Sequence, residues 1–169
     1  MKTNRLSKLI ISIMLIILTN SCSSTKNTQG TQGDSFGNMV AIMEVKKPIE
    51  GVCDNSRVIA ILPFPGNKQV KAKAPKTNDE LMIELNSKVS FLKDNPNFEG
   101  KGMVNLIINC KGELVRCEID NKTKSTKLDN QIVAVFAEMK KWTAGSINNE
   151  SVDTSVLYSF TIKNGKISL

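Results

Sequence analysis

The chain has 169 residues, 40% of them hydrophobic and 23% charged, with a formal net charge of +7, four cysteines and no histidine. That length allows one compact domain with a tether and excludes two large domains. Without histidine the commonest zinc ligand and the commonest general base are missing, and no C-x-x-C spacing replaces them, so neither a metal centre nor an acid–base enzyme is expected.

Lys2, Arg5 and Lys8 precede an apolar run from Leu9 to Leu18, and Leu18-Thr19-Asn20-Ser21 leads into Cys22. The run is about ten residues, where a bilayer-spanning helix needs about twenty. A small residue before a cysteine at its end is the pattern of a bacterial lipoprotein signal. The alternatives are an ordinary secretory signal and an uncleaved anchor. Residues 1–21 are thus expected to be cleaved and Cys22 to carry lipid, including an amide-linked acyl chain such as palmitate, which holds the protein to a membrane. Ser23 after the cysteine resembles outer-membrane sorting, and Ser23-Ser24-Thr25-Lys26 holds no acidic cluster of the kind that directs export to the cell surface. The expected location is the outer membrane, facing the periplasm. Loss of Lys2, Arg5 and Lys8 leaves 20 Lys and Arg against 16 Asp and Glu, a modest +4. Lys71, Lys73 and Lys76 form the densest basic stretch and read first as a solvated edge. Behind such a signal, nucleic acid is not an expected partner.

Residues 22–38 are Ser, Thr, Asn, Gln and Gly with little else, a composition that cannot bury enough apolar surface to order itself. They read as a flexible tether. An N-terminal β extension is expected over 39–76. Met39–Val45 and Arg57–Phe64 are apolar and rich in β-branched residues, and Pro65-Gly66-Asn67 is turn chemistry ahead of the alternating run Gln69–Ala74, which predicts a small hairpin. Thr77 and Glu80 fit a capping box opening a helix to Leu92, with Met82, Leu85, Val89 and Leu92 on one stripe. Asn95-Pro96-Asn97 stops it.

Val104, Leu106 and Ile108 share one face of a strand over Met103–Asn109, and Cys110-Lys111-Gly112 turns the chain into a second strand, Glu113–Asp120. Thr126 can cap a helix whose Leu128, Ile132, Val135, Phe136 and Met139 form an apolar stripe ending at Trp142. Val156, Tyr158, Phe160 and Ile162 alternate along a last strand, Thr154–Lys163, and Asn164-Gly165 proposes a terminal hairpin with Lys166–Leu169.

With Cys22 committed to lipid, three cysteines remain, which suggests one disulfide and one free thiol in an exported protein. Cys110 and Cys117 flank a hairpin turn and lie on different rungs, beyond the roughly 7 Å reach between Cα atoms. Cys53 is then the expected partner of one of them. Cys110 is favoured, because Cys117 shares strand parity with Val115 and Ile119 and can sit in the core.

The order strand, strand, helix, strand over Gly102–Ile162 resembles the C-terminal domain of the TonB energy-transducer family. Gly100-Lys101-Gly102-Met103-Val104 is similar to its opening strand, Asn109-Cys110-Lys111-Gly112-Glu113-Leu114 to its hairpin turn, and Leu128-Asp129 to the start of its second helix. Trp142–Val152 follows its W-x-P-G-x-x-N-G-x-P-V segment, with Ala144, Asn149 and Ser151 in place of Pro, Gly and Pro. The resemblance covers about seventy residues and implies an α+β fold: a small antiparallel sheet with two helices on one face, over 77–169. It also implies that the last strand, Val156, Tyr158, Phe160 and Ile162, offers an edge to which an extended segment of a partner adds as a strand. The alternative is that Lys166–Leu169 folds back and covers that edge. An energy transducer of that kind needs an uncleaved inner-membrane helix and a long Pro-rich span, and neither is read here. The expectation is a non-catalytic, lipid-anchored binding protein without cofactor or metal. Its partners would be the membrane through Cys22 and an envelope protein or peptide, among them components of TonB-dependent receptors, with a second copy of the chain as a further candidate. A structural protein binding peptidoglycan or surface glycan through Lys71 and Lys73 is the competing reading.

Overall fold

The computed structural model describes residues 40–61 and 68–169. Cys22, the tether and the Pro65-Gly66-Asn67 turn lie outside the described residues.

The fold is α+β, with helices packed on one face of a small sheet. The sheet is built around two hairpins. Strand β4 (Gly100–Ile108) pairs antiparallel with β5 (Leu114–Asn121) and with β8 (Thr154–Lys163). Short β1 (Ala41–Ile42) and β2 (Ile59–Ala60) extend it to the order β1-β2-β8-β4-β5, and β9 (Lys166–Ser168) pairs with the far end of β8. A separate three-stranded sheet joins β3 (Gln69–Val70), β6 (Gly145–Ile147) and β7 (Glu150–Val152).

Among the described residues, the expected hairpin between Arg57–Phe64 and Gln69–Ala74 is not seen, and its turn lies outside them. Strand β2 pairs antiparallel with β1 and parallel with β8, while β3 pairs with β6. The reason is burial. Val58 and Ile59 are fully enclosed, so the apolar run is spent on the main sheet instead of on its sequence neighbour. The parallel β2–β8 pair also makes the sheet mixed. The Gly and Asn stretch after Trp142 is itself a hairpin, β6–β7, turning through Asn148 and Asn149 at φ 51° and 69°, the left-handed region that Asn tolerates.

Helix α1 (Asn78–Lys88) opens with the predicted capping box: the Thr77 hydroxyl accepts from the Glu80 amide at 3.2 Å, and the Glu80 carboxylate accepts from the Thr77 amide at 2.7 Å. Its inward face is Leu81 and Leu85, with Met82 only half-buried, one position away from the expected stripe. The helix breaks after Val89, and Phe91–Asp94 forms a separate turn, α2. Helix α3 (Thr126–Ala137) is capped by Ser125, not Thr126, since the Ser125 backbone is extended and its hydroxyl accepts from the Leu128 amide. Leu128, Ile132, Val135, Phe136 and Met139 then pack with Leu81, Leu85, Val104, Leu106 and Phe160 into the main core.

A second, smaller cluster covers part of the opposite face. Ile107 points away from Leu106 and Ile108, as strand alternation demands, and is buried with Val58 and Ile49 of the N-terminal segment. Val115 joins this cluster, not the face of Cys117, because the β4–β5 register shifts between Ile107 and Ile108 and a bulge breaks the parity. At the turn between β4 and β5, Gly112 sits at φ 80°, and a Cβ there would lie 2.3 Å from the Trp142 carbonyl oxygen. Only glycine permits that approach.

Candidate partner-binding edge

Strand β8 has β4 on one side from Thr154 to Ile162. Among the described residues its other side is occupied only at the ends. Thr154 and Ser155 pair with β2, and Thr161, Ile162 and Lys163 pair with β9. Among the described residues no strand pairs with Val156–Phe160 on that side. The expected covering by Lys166–Leu169 therefore reaches Ile162 but stops short of Phe160, Tyr158 and Val156.

Which backbone groups face the gap follows from the ladder. The amide and carbonyl of one strand residue leave on the same side, and the side alternates along the chain. The Asp153 carbonyl accepts from the Ile59 amide at 2.9 Å, so odd-numbered residues here turn toward the gap. The other end agrees: the Ile167 amide of β9 donates to the Asn86 Oδ1 and its carbonyl accepts from the Asn86 Nδ2, at 2.9 Å each, so its neighbours Lys166 and Ser168 face Lys163 and Thr161. Leu157 and Ser159 thus present their amides and carbonyls to the gap. The even residues Val156, Tyr158, Phe160 and Ile162 turn theirs to β4.

Their side chains also have other work. Phe160 and Ile162 are buried in the main core, and the Tyr158 ring lies tilted against Phe136 with centroids 5.1 Å apart. Burial raises the Tyr158 hydroxyl above the usual phenol range. On the opposite face Leu157 is 55% exposed, a large apolar side chain beside the open backbone.

Both covers of the edge are pinned by side chains that the sequence reading did not single out. Asp153 is buried, and its carboxylate accepts from the amides of Cys53 (3.0 Å), Asp54 (2.7 Å) and Cys110 (2.9 Å). Charge-assisted bonds of this kind are the strong ones. Over them Cys53 and Cys110 form a disulfide with Cα atoms 6.1 Å apart. Asn109 completes the turn: its Oδ1 accepts from the Lys111 and Glu113 amides, and its Nδ2 donates to the Gly51 carbonyl and the Glu113 carboxylate. At the other end Asn86 acts as a one-residue strand along the outer side of β9. The only available signal for these was polarity: an Asp before a strand and an Asn on an amphipathic helix are ordinary surface residues in sequence.

Cys117 is half-buried against the core, its thiol donating to the Val133 carbonyl at 3.6 Å. Burial first, and the Glu118 charge second, push it up to about 11, so at neutral pH it is a protonated thiol and a poor nucleophile. Cys53, Cys110 and Asp153 gather three atoms of ligand type, but both sulfurs are in the disulfide and the carboxylate is committed to amides. Lys71 and Lys73 are exposed, whereas Lys76 is paired with Glu84. No helix among the described residues is long and apolar enough to cross a membrane. No protein-family model, curated protein or solved structure matches the chain.

Proposed function

We propose that the protein is a non-catalytic, lipid-anchored envelope protein that binds an extended protein or peptide segment by strand addition to β8. The observation supporting this reading is that, among the described residues, no strand fills the stretch between β2 and β9, where the backbone of Leu157 and Ser159 turns away from β4. Each backbone hydrogen bond added there is worth roughly 0.5–1.5 kcal/mol net, so a segment this short binds weakly unless a side chain also lodges beside Leu157. The resemblance to the TonB C-terminal domain supports the same mode, and components of TonB-dependent transport are the first partners to seek. The lipid on Cys22 would keep the domain within tether reach of such partners, at the outer membrane on the periplasmic side.

Two proline substitutions separate binding from folding. Phe160→Pro removes a buried ring and a bond to β4, so it reports on folding. Ser159→Pro removes an amide facing the gap and spares the β4 ladder, as proline is tolerated on an edge. A photo-cross-linker at Leu157 in the lipidated protein is expected to capture an envelope partner in cells, with Ser159→Pro abolishing capture at unchanged melting temperature. Undiminished capture by Ser159→Pro would sink strand addition. Capture that falls steeply with salt and requires Lys71 and Lys73 would favour the glycan-binding alternative.

A further inference from the structure

The densest basic stretch of the sequence is not where the folded protein gathers its unpaired charge. Lys76 and Lys88 are bound to Glu84, Lys88 also to Glu138, and Arg116 to Glu118 at 3.1 Å. By contrast Lys101 of β4, Lys122 and Lys124 of the loop after β5, and Lys163 of β8 line one groove of about 600 Å³ at the far end of the main sheet. None of these four has a carboxylate within ion-pair distance among the described residues. Glu99 is the single acid in the wall, and Thr161 adds a hydroxyl. Four cations from three stretches of chain are held together against their mutual repulsion, over a wall of low dielectric that focuses their field outward.

We infer that this groove is a contact surface for the phosphate groups of an anionic lipid headgroup layer. All four lysines are exposed on flexible stems, which suits a layer of mobile headgroups better than one enclosed ion. The inference rests on the proposed lipid anchor in one respect: a flexible tether of some sixteen residues, at roughly 5–6 Å times the square root of their number, would hold the domain a couple of nanometres from the membrane. Each lysine near an anionic surface strengthens attraction about fivefold at low salt. The domain would thus rest on the membrane through the groove, with the open edge of β8 on the same strand as Lys163.

The test uses the full chain in lipid nanodiscs carrying a spin-labelled headgroup, in zwitterionic discs and in discs with about 30% phosphatidylglycerol. Amide broadening is expected to centre on Gly100–Lys101 and residues 122–124 in anionic discs only, to vanish at roughly 0.5 M salt, and to be lost in K122E/K124E but not in K71E/K73E. Unchanged Ile107 and Phe136 resonances in K122E/K124E show that its fold is intact. Equal broadening in both disc types, or loss in K71E/K73E with retention in K122E/K124E, overturns the inference. Retention on zwitterionic discs reports the anchor separately: if it fails, the groove must still hold the chain to anionic discs, and absence from both refutes groove and anchor together.

Discussion

The hairpins and helices of residues 77–169 and the N-terminal segment 40–61 occupy the same sheet but are held in different ways. In the first, β4 turns into β5 and β8 into β9, the nine-residue-pair ladder between β4 and β8 locks the two hairpins together, and α1 and α3 bring apolar stripes to one core. In the second, two-residue strands gain almost nothing from each other. The segment is held by Asp153, by the disulfide and by Val58 and Ile49 against Ile107, each a contact across a long loop. A region held by long ladders and a large core tolerates the loss of one link, whereas a region pinned at few points depends on each of them.

The largest effect should come from the shared core. Phe136→Ala removes a fully buried ring and is expected to cost about 3–5 kcal/mol, read as a lower unfolding midpoint of the whole domain. Cys53→Ser should cost about 2–4 kcal/mol with a different signature: hydrogen exchange is expected to accelerate over 41–60 while β4 and α3 stay protected. Uniform acceleration would show that the two regions unfold as one and break the comparison. Asp153→Asn keeps the shape but loses the charge and an acceptor, leaving amides of Cys53, Asp54 or Cys110 poorly satisfied. A cost of about 1–3 kcal/mol is expected, again confined to the N-terminal segment. Thr77→Ala, a cap in the locally built region, should cost about 1 kcal/mol.

The smallest effect is a matter of pH. The Cys117 thiol is raised in the folded state to about 11, above its ordinary value of 9.0, so the stability it contributes is whole below that value and declines as pH rises through about 11. Alkylation of Cys117 should accordingly be slow at pH 8 in the folded protein and fast once it is unfolded. Rapid labelling at pH 8 without unfolding would show that the α3 face opens locally.

The helices, the β4–β5 hairpin and the β8–β9 turn were legible because each is encoded within a dozen or so residues: a capping box, a 3.6-residue stripe, an alternation, an Asn-Gly pair. Departures there are small and have local causes, such as the Ser125 cap displacing Thr126 and the bulge that turns Val115 to the other face. The failure at Arg57–Ala74 is of another kind. Apolar alternation near turn chemistry predicts a hairpin equally well whether the run pairs with its neighbour or with a strand about a hundred residues away, because strand pairing carries no address in the sequence of one partner. The edge shows the same limit. Alternation correctly placed Val156, Tyr158, Phe160 and Ile162 on one face, but their backbone groups turn to β4, and the groups without a strand partner among the described residues belong to Leu157 and Ser159.

By itself, then, the sequence determined the α+β character, the capped helices, the main hairpins and the apolar faces, since these follow from short-range periodicity and turn chemistry. Only the tertiary structure decided that β2 runs parallel to β8, that Asp153 and Asn86 pin the two covers of its edge, and that Lys101, Lys122, Lys124 and Lys163 meet in one groove. Those outcomes depend on which distant surfaces bury each other best, a competition among long-range contacts that no single stretch of chain encodes.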